Sequence, residues 1–406
     1  MAIKHGISEN KSQVILQLIQ VFLVGLTIGM TRTVIPGLAN TEFGLDSQQF
    51  LLLTSFVVVF GVVKAIMNLL AGKLSDTYGH KRVLIVGWIV AIPVPFMILY
   101  APSWSWIIGA ILLLGVNQGL CWSMTINSKL DLARLNQKGL VNGINEFSGY
   151  AAVAIAGVIS AYVVDLLGAR EGLFVFGIVV ILLGLGSSIL FIKETMPWAK
   201  LHHAGITTPS NLSFGKLFIQ ASWKNKTLLS LNQAGLVEKF SDAMVWIFLP
   251  VFFLSKGLSL VEGSAIIFVY AVTWGGLQLI TGPLSDKIGR KLLIVGGMWI
   301  CGLGLLSIPY TNSVFAWTLE AGVIGIGMAM LYPTLGAAVA DFSPGETRST
   351  FLGIYRFWRD FGYAVAALTL GIITQWTQAL TSPFLLACVA LFLSGLHVLI
   401  VVPNKS

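Results

Sequence analysis

Ten ionisable side chains lie inside long apolar runs of this 406-residue chain: Arg32, Lys64, Glu146, Glu238, Lys239, Asp242, Glu320, Arg356, Arg359 and Asp360. A charge at the centre of a bilayer costs roughly 2.5 to 3.5 kcal/mol, so leaving all ten to lipid would cost on the order of 25 to 35 kcal/mol, more than ordinary domain stability. They must face protein or water, mostly in pairs, and the chemistry open to them is passage of solutes and protons. Arg32, Lys64, Arg356 and Arg359 supply positive potential for an anionic or zwitterionic solute, with Asn117, Asn145 and Tyr363 as orienting partners. A carboxylate that is paired in one state and reachable by water in another can carry a proton. Glu146, Glu238, Asp242, Glu320 and Asp360 are the candidates, and Glu146 stands out because no opposite charge shares its helical face.

Spacing places these groups on stripes. Arg356, Arg359, Asp360 and Tyr363 recur at i, i+3, i+4 and i+7, as do Asn142, Asn145, Glu146 and Gly149, so each set lines one face of a helix. Gly61, Lys64 and Asn68 share another face, and Lys239 is close enough to Asp242 to pair with it. Two alternatives stay open at this level. Arg356 with Asp360 and Lys239 with Asp242 could be ion pairs that only join helices, and Arg32 could reach the lipid headgroups from the outer end of its helix.

The elements that must position these residues are membrane spans. Only 10% of the chain is charged and 56% is apolar, with a mean hydropathy of +0.85, whereas a soluble domain carries roughly 25% charged residues. Such a chain cannot hide its nonpolar surface in one water-facing core. Runs of about 20 apolar residues, the length that crosses a bilayer, occur near 14–36, 48–71, 83–101, 106–127, 140–164, 172–192, 228–252, 263–281, 292–310, 315–338, 350–374 and 383–402. The pattern predicts an all-α membrane protein of twelve spans. The first run carries Gln17 and Gln20 and lacks a cleavage box, so it reads as a span rather than a secretory signal.

If both termini are cytoplasmic, 18 of the 25 Lys and Arg fall in inner loops and tails and two in outer loops. That bias fixes the orientation. It also explains the net charge of +8 without nucleic acid, because the basic residues mark loop ends rather than a groove. Cys121, Cys301 and Cys388 lie in apolar runs and offer neither a disulfide framework nor a metal site. His202 and His203 sit in a polar linker and read as solvated. The expected domains are 1–193, a cytoplasmic linker 194–227 in which Phe214, Leu217, Phe218 and Ala221 suit a short interfacial helix, and 228–406.

Two loops read almost alike: residues 72–82, Gly-Lys-Leu-Ser-Asp-Thr-Tyr-Gly-His-Lys-Arg, and 282–292, Gly-Pro-Leu-Ser-Asp-Lys-Ile-Gly-Arg-Lys-Leu. Their offset of 210 also aligns Gly25 with Gly235, Lys64 with Trp274, Asn68 with Gln278, Asp131 with Asp341 and Phe147 with Phe357 without gaps, which adds Trp274 and Gln278 to the candidate binding residues. One repeat is six spans, the architecture of two bundles rocking about a central site. The intramembrane charges fall on spans 1, 2, 5, 7, 10 and 11. Spans 3, 6, 9 and 12 carry none, His397 being the sole histidine there.

The loop pattern in a chain of six plus six spans resembles the major facilitator superfamily over essentially its whole length. Gly72, Leu74, Asp76, Gly79 and Lys81 match the family loop, as do Gly282, Leu284, Asp286, Gly289, Arg290 and Lys291; Thr77 and His80 depart from it. The resemblance implies that these loops latch the two bundles at the cytoplasmic side, and that spans 3, 6, 9 and 12 face lipid. Ile111 and Asn117 replace the arginine and the middle glycine of the fourth-span pattern. The stretch 149–157 lacks the proline of drug/proton antiporters.

The expected function is a secondary active transporter, not an enzyme, moving a small anionic or zwitterionic organic solute by alternating access with proton coupling. It would act as a monomer in the cytoplasmic membrane, with no cofactor and no metal. Efflux of amphiphiles in exchange for protons is the alternative, suggested by Trp122, Trp246, Trp274 and Trp358; a transporter-like receptor without flux is a remote one. No nucleotide-binding loop, GxSxG or HExxH motif is present.

Overall fold

The computed structural model describes residues 4–45, 49–134, 137–203, 213–343 and 348–404, and these are helical throughout their ordered elements. The helices are α1 Lys11–Phe43, α2 Phe50–Tyr78, α3 His80–Ala91, α4 Pro93–Leu99, α5 Trp104–Leu132, α6 Lys138–Leu167, α7 Ala169–Leu190 and α8 Met196–His203. They continue as α9 Phe214–Ile219, α10 Lys226–Ala243, α11 Leu249–Ser255, α12 Leu260–Ile288, α13 Arg290–Ser307, α14 Val314–Asp341, α15 Arg348–Thr377 and α16 Ser382–Val401. The side chains of His202 and His203 lie outside those described.

Among the described residues, ten helical stretches are long and apolar enough to cross a membrane. The other two expected spans are helical but miss that composition, and they are α10–α11 and α15, which carry Glu238, Lys239, Asp242, Arg356, Arg359 and Asp360. Proline shapes several elements. Ile92 alone lies between α3 and α4, which starts at Pro93, and Pro250 lies in the first turn of α11. Pro250 has no N–H to give the carbonyl of Trp246, so the helix widens to a π-helical stretch at Met244–Phe248.

The chain packs as two compact units, one of Met1–Thr31 with Ile66–Pro209 and one of Arg32–Ala65 with Ser210–Ser406. α1 and α2 each contribute to both. The first unit packs Trp88, Leu84, Cys121, Met124 and Ile181 into a core. Gln20 is satisfied inside it: its amide accepts from Trp88 Nε1 at 2.7 Å and donates to Gly184 O and Ser187 Oγ, which accounts for a polar residue in an apolar span. A Cβ on Gly25 would lie 2.2 Å from Gly149 O, so glycine is what lets α1 approach α6 this closely. In the second unit, α9 runs on through Gln220–Lys224 and packs its Phe218 ring against Phe357 and Trp358 of α15.

Candidate functional site

The charged residues of the second unit converge. Arg32 on α1 donates from Nη1 and Nη2 to the two oxygens of Asp242 on α10, at 2.8 and 3.2 Å, and from Nη2 to Tyr363 Oη at 2.8 Å. The Tyr363 hydroxyl in turn donates to Asp242. The Arg32 guanidinium lies 4.3 Å from the centroid of Trp246, in the π-helical stretch that Pro250 enforces. Arg32 is thus buried in protein and does not reach for headgroups. It stands 210 residues from Asp242, the repeat offset, so two equivalent positions of the six-helix repeats carry opposite charges and bond to each other.

One turn back on α10, Lys239 bridges Glu238 at 3.1 Å and Asp242 at 3.8 Å, its ammonium 5.0 Å from the ring centroids of Tyr332 and Tyr363 and 5.9 Å from Trp274. Arg359 pairs with its neighbour Asp360 at 3.1 Å and covers Tyr332 at 4.8 Å. Lys64 lies 5.5 Å from Phe60 and 5.6 Å from Tyr363, where its charge attracts Asp360. Four cations and three carboxylates are set in an aromatic frame in which Trp246 meets Phe60 and Tyr363 edge-on. Positive charge over ring faces is favourable once water is excluded. Trp246 Nε1, Tyr270 Oη and Gln278 Nε2 are buried and have no hydrogen-bond partner among the described residues.

Of the residues singled out from sequence, Arg32, Lys64, Glu238, Asp242, Trp274, Arg359, Asp360 and Tyr363 therefore gather in one neighbourhood, with Gln278 one turn beyond Trp274 on α12. Arg356 is half-buried on α15, one turn before Asp360. Glu320 accepts from Thr311 at the start of α14. Asn117, Asn145 and Glu146 belong to the first unit: Asn117 donates to Gly87 O at 2.9 Å, and Glu146 Oε1 accepts from Trp122 Nε1 at 3.1 Å and Asn145 Nδ2 at 2.9 Å. Lys129, one of the 18 basic residues counted above in inner loops and tails because its apolar run ends near residue 127, instead lies in the last turn of α5 and is fully buried. A hydropathy run stops at a charge although the helix does not, and only the continuing helical pattern past residue 127 could have placed it.

The two similar loops build matching corners. Gly79 and Gly289 adopt φ of +88° and +92°, a left-handed region open to glycine, and each starts the next helix. In the second corner Arg290 joins Asp286 at 2.7 Å and Asp341 at 2.5 Å, beside Gly282 and Lys291. In the first, His80 holds the place of Arg290, with Nδ1 3.0 Å from Asp131 and 2.9 Å from Thr195 Oγ1. Asp76 and Gly72 are exposed, and Lys81 donates from Nζ to Ile189 O. Glu194 accepts from the backbone N–H of His80 and of Lys81 at 3.0 and 3.1 Å, capping α3. Glu194→Ala is expected to destabilise the protein by about 1 kcal/mol, as loss of a helix cap does, and Glu194→Gln by less; thermal unfolding in detergent measures both.

Comparison with known proteins decides the family. A family model described as Major Facilitator Superfamily matches residues 18–234 and again 231–406. The chain belongs to the major facilitator superfamily. Among the relatives of this member, an uncharacterized MFS-type transporter of Salmonella typhimurium is 23% identical over 401 residues, covering 93% of this chain and 94% of its own. A protein of Cupriavidus pinatubonensis named as a probable 4-methylmuconolactone transporter is 23% identical over 356 residues, covering 81% and 80%. The crystal structure of the nucleoside transporter NupG superposes with a TM-score of 0.77 at 13% identity, covering 96% of this chain and 100% of that one, which is a likeness of fold. The chain is thus a multi-pass membrane protein of a transporter family.

Proposed function

We propose that this superfamily member is a secondary active transporter that carries a small organic anion by alternating access and couples its movement to protons. It would lie in the cytoplasmic membrane with both termini inside, and residues 1–193 and 228–406 would act as its two moving bundles. The observation that carries this reading is the buried two-pronged bond from Arg32 to Asp242, closed by Tyr363. A carboxylate on a solute presents the same two oxygens as Asp242 and can take its place on the guanidinium. Asp242 then has to share Lys239 or accept a proton, so arrival of the anion and uptake of a proton favour each other. Because residues 32–65 pack with α10 and α15, breaking this bond also removes a contact that holds the first two spans in the second unit. The relative named for 4-methylmuconolactone supports a small organic cargo.

The Trp246, Phe60 and Phe56 faces favour a second reading, proton-driven export of amphiphiles. Purified protein in liposomes, given an inward proton gradient and a panel of labelled benzoate, lactate, glutamate and ethidium, separates the two. Accumulation of a carboxylate that falls at least tenfold in Arg32→Gln is the expected result. Movement of ethidium alone would replace the anion reading with efflux, and binding without flux would point to a receptor.

A further inference from the structure

The first unit holds a second pair of buried opposite charges, and the structure leaves them apart. Lys129 is fully buried, yet among the described residues no carboxylate lies within 4 Å of it, and the one hydrogen bond its ammonium makes is to the carbonyl of Gln17 on α1, at 3.0 Å. Burying an ammonium without an ion pair is costly, so such a lysine needs a reason to be there. Glu146 on α6 mirrors it: Oε1 is held by Trp122 and Asn145, and Oε2 is buried with no partner among the described residues. Opposite charges on neighbouring helices attract each other, and Glu146 contributes to the electrostatic environment of Lys129. α1 touches α5 at Gln17 and α6 through Ser148 Oγ and Leu18 O, and α5 touches α6 through Trp122 and Glu146, so the three helices close a ring around these groups. Each partner is pinned on one side and has unused bonding capacity on the other.

We propose that Lys129 is the positioning residue of a proton-exchange site at Glu146, its ammonium resting on the Gln17 carbonyl while Glu146 holds a proton and moving to Oε2 when that proton leaves. The proton passes between the Glu146 carboxyl and water, and Lys129 stays charged throughout, so the exchange needs no further reactant. It deepens the proton coupling proposed above by adding a second carboxylate to it, and rests on that reading. The consequence for transport is mechanical, because the ammonium links α5 to α1 in one protonation state and to α6 in the other.

Trp122 reports the event without any substrate, since its indole donates to the carboxyl in question. Full-length protein labelled with 5-fluorotryptophan is titrated in detergent by fluorine NMR, the Trp122 resonance being assigned with Trp122→Phe. That resonance should titrate in the wild type, stop titrating in Glu146→Gln, keep its midpoint within about half a pH unit in Lys129→Arg, and move by at least about one pH unit to the alkaline side in Lys129→Gln. A Trp122 resonance that does not titrate, or a midpoint unmoved in Lys129→Gln, overturns the proposal. If Lys129→Gln does not fold, the double variant Lys129→Gln/Glu146→Gln decides: its recovery supports the pairing, and its failure alongside the single variant makes Lys129 structural. Failure here leaves the anion site untouched, whereas loss of carboxylate uptake in liposomes with an intact Trp122 titration removes the transport reading alone.

Discussion

Arg32→Leu is expected to abolish proton-driven uptake and to destabilise the protein by about 3 to 5 kcal/mol, whereas Arg32→Leu/Asp242→Leu should recover most of the stability and none of the transport. The single change leaves a fully buried carboxylate whose nearest remaining cation, Lys239, is 3.8 Å away and already bonded to Glu238. Desolvation of Asp242 is then opposed by one shared charge instead of a two-pronged partner. The Tyr363 hydroxyl also loses the guanidinium that donates to it, and Trp246 loses the cation over its ring. The double change removes both charges and fills the space with apolar atoms, which is neutral or favourable when a buried pair is replaced as a whole. Unfolding curves in one detergent give the stability order, and liposome uptake gives the activity. If the double variant were no more stable than Arg32→Leu, the bridge would owe its cost to packing and the exchange of Asp242 for a solute carboxylate would lose its basis.

Much of this arrangement is legible in the chain. The apolar runs and the 210-residue repeat follow from composition and from two short loops. The stripe Arg356, Arg359, Asp360, Tyr363 and the cluster on span 7 follow from helical spacing alone. What spacing cannot supply is a partner on another helix. Asp360 has adjacent Arg359 at 3.1 Å, a neighbour that the i, i+4 rule does not single out. Arg32 finds Asp242, and here the signal was present in the repeat itself: adding the offset to Arg32 lands on an acidic residue, so opposite charges at equivalent positions pointed to a contact. The π-helical stretch that turns Trp246 toward Arg32 is announced only by Pro250, whose effect on a helix can be a kink, a break or a bulge. Lys129 escaped because a hydropathy run ends at its first charge while α5 continues to Leu132.

Lys239→Met should be as damaging as the loss of Arg32. Lys239 is fully buried, and its ammonium is the ion-pair partner of Glu238 at 3.1 Å and a second one for Asp242 at 3.8 Å, with three aromatic rings within 6 Å. Methionine keeps the length of the side chain and removes the charge, so the space stays filled and the change isolates electrostatics. Glu238 then becomes a buried carboxylate without its cation, one oxygen of which already lacks a hydrogen-bond partner among the described residues. The expected loss is about 3 to 5 kcal/mol. Lys239→Arg should not rescue it, since a planar guanidinium cannot sit among the rings of Tyr332, Tyr363 and Trp274 as a compact ammonium does. Glu238→Gln/Lys239→Met should restore most of the stability by removing both members, and it carries a further discrimination. If protons travel with Asp242, that double variant still has Arg32, Asp242 and Tyr363 in place and should retain measurable proton-driven uptake; if Glu238 is the carrier, uptake should cease while exchange of labelled for unlabelled solute across the membrane continues. The same liposome preparation, assayed with and without a proton gradient, decides whether Glu238 is required for coupling.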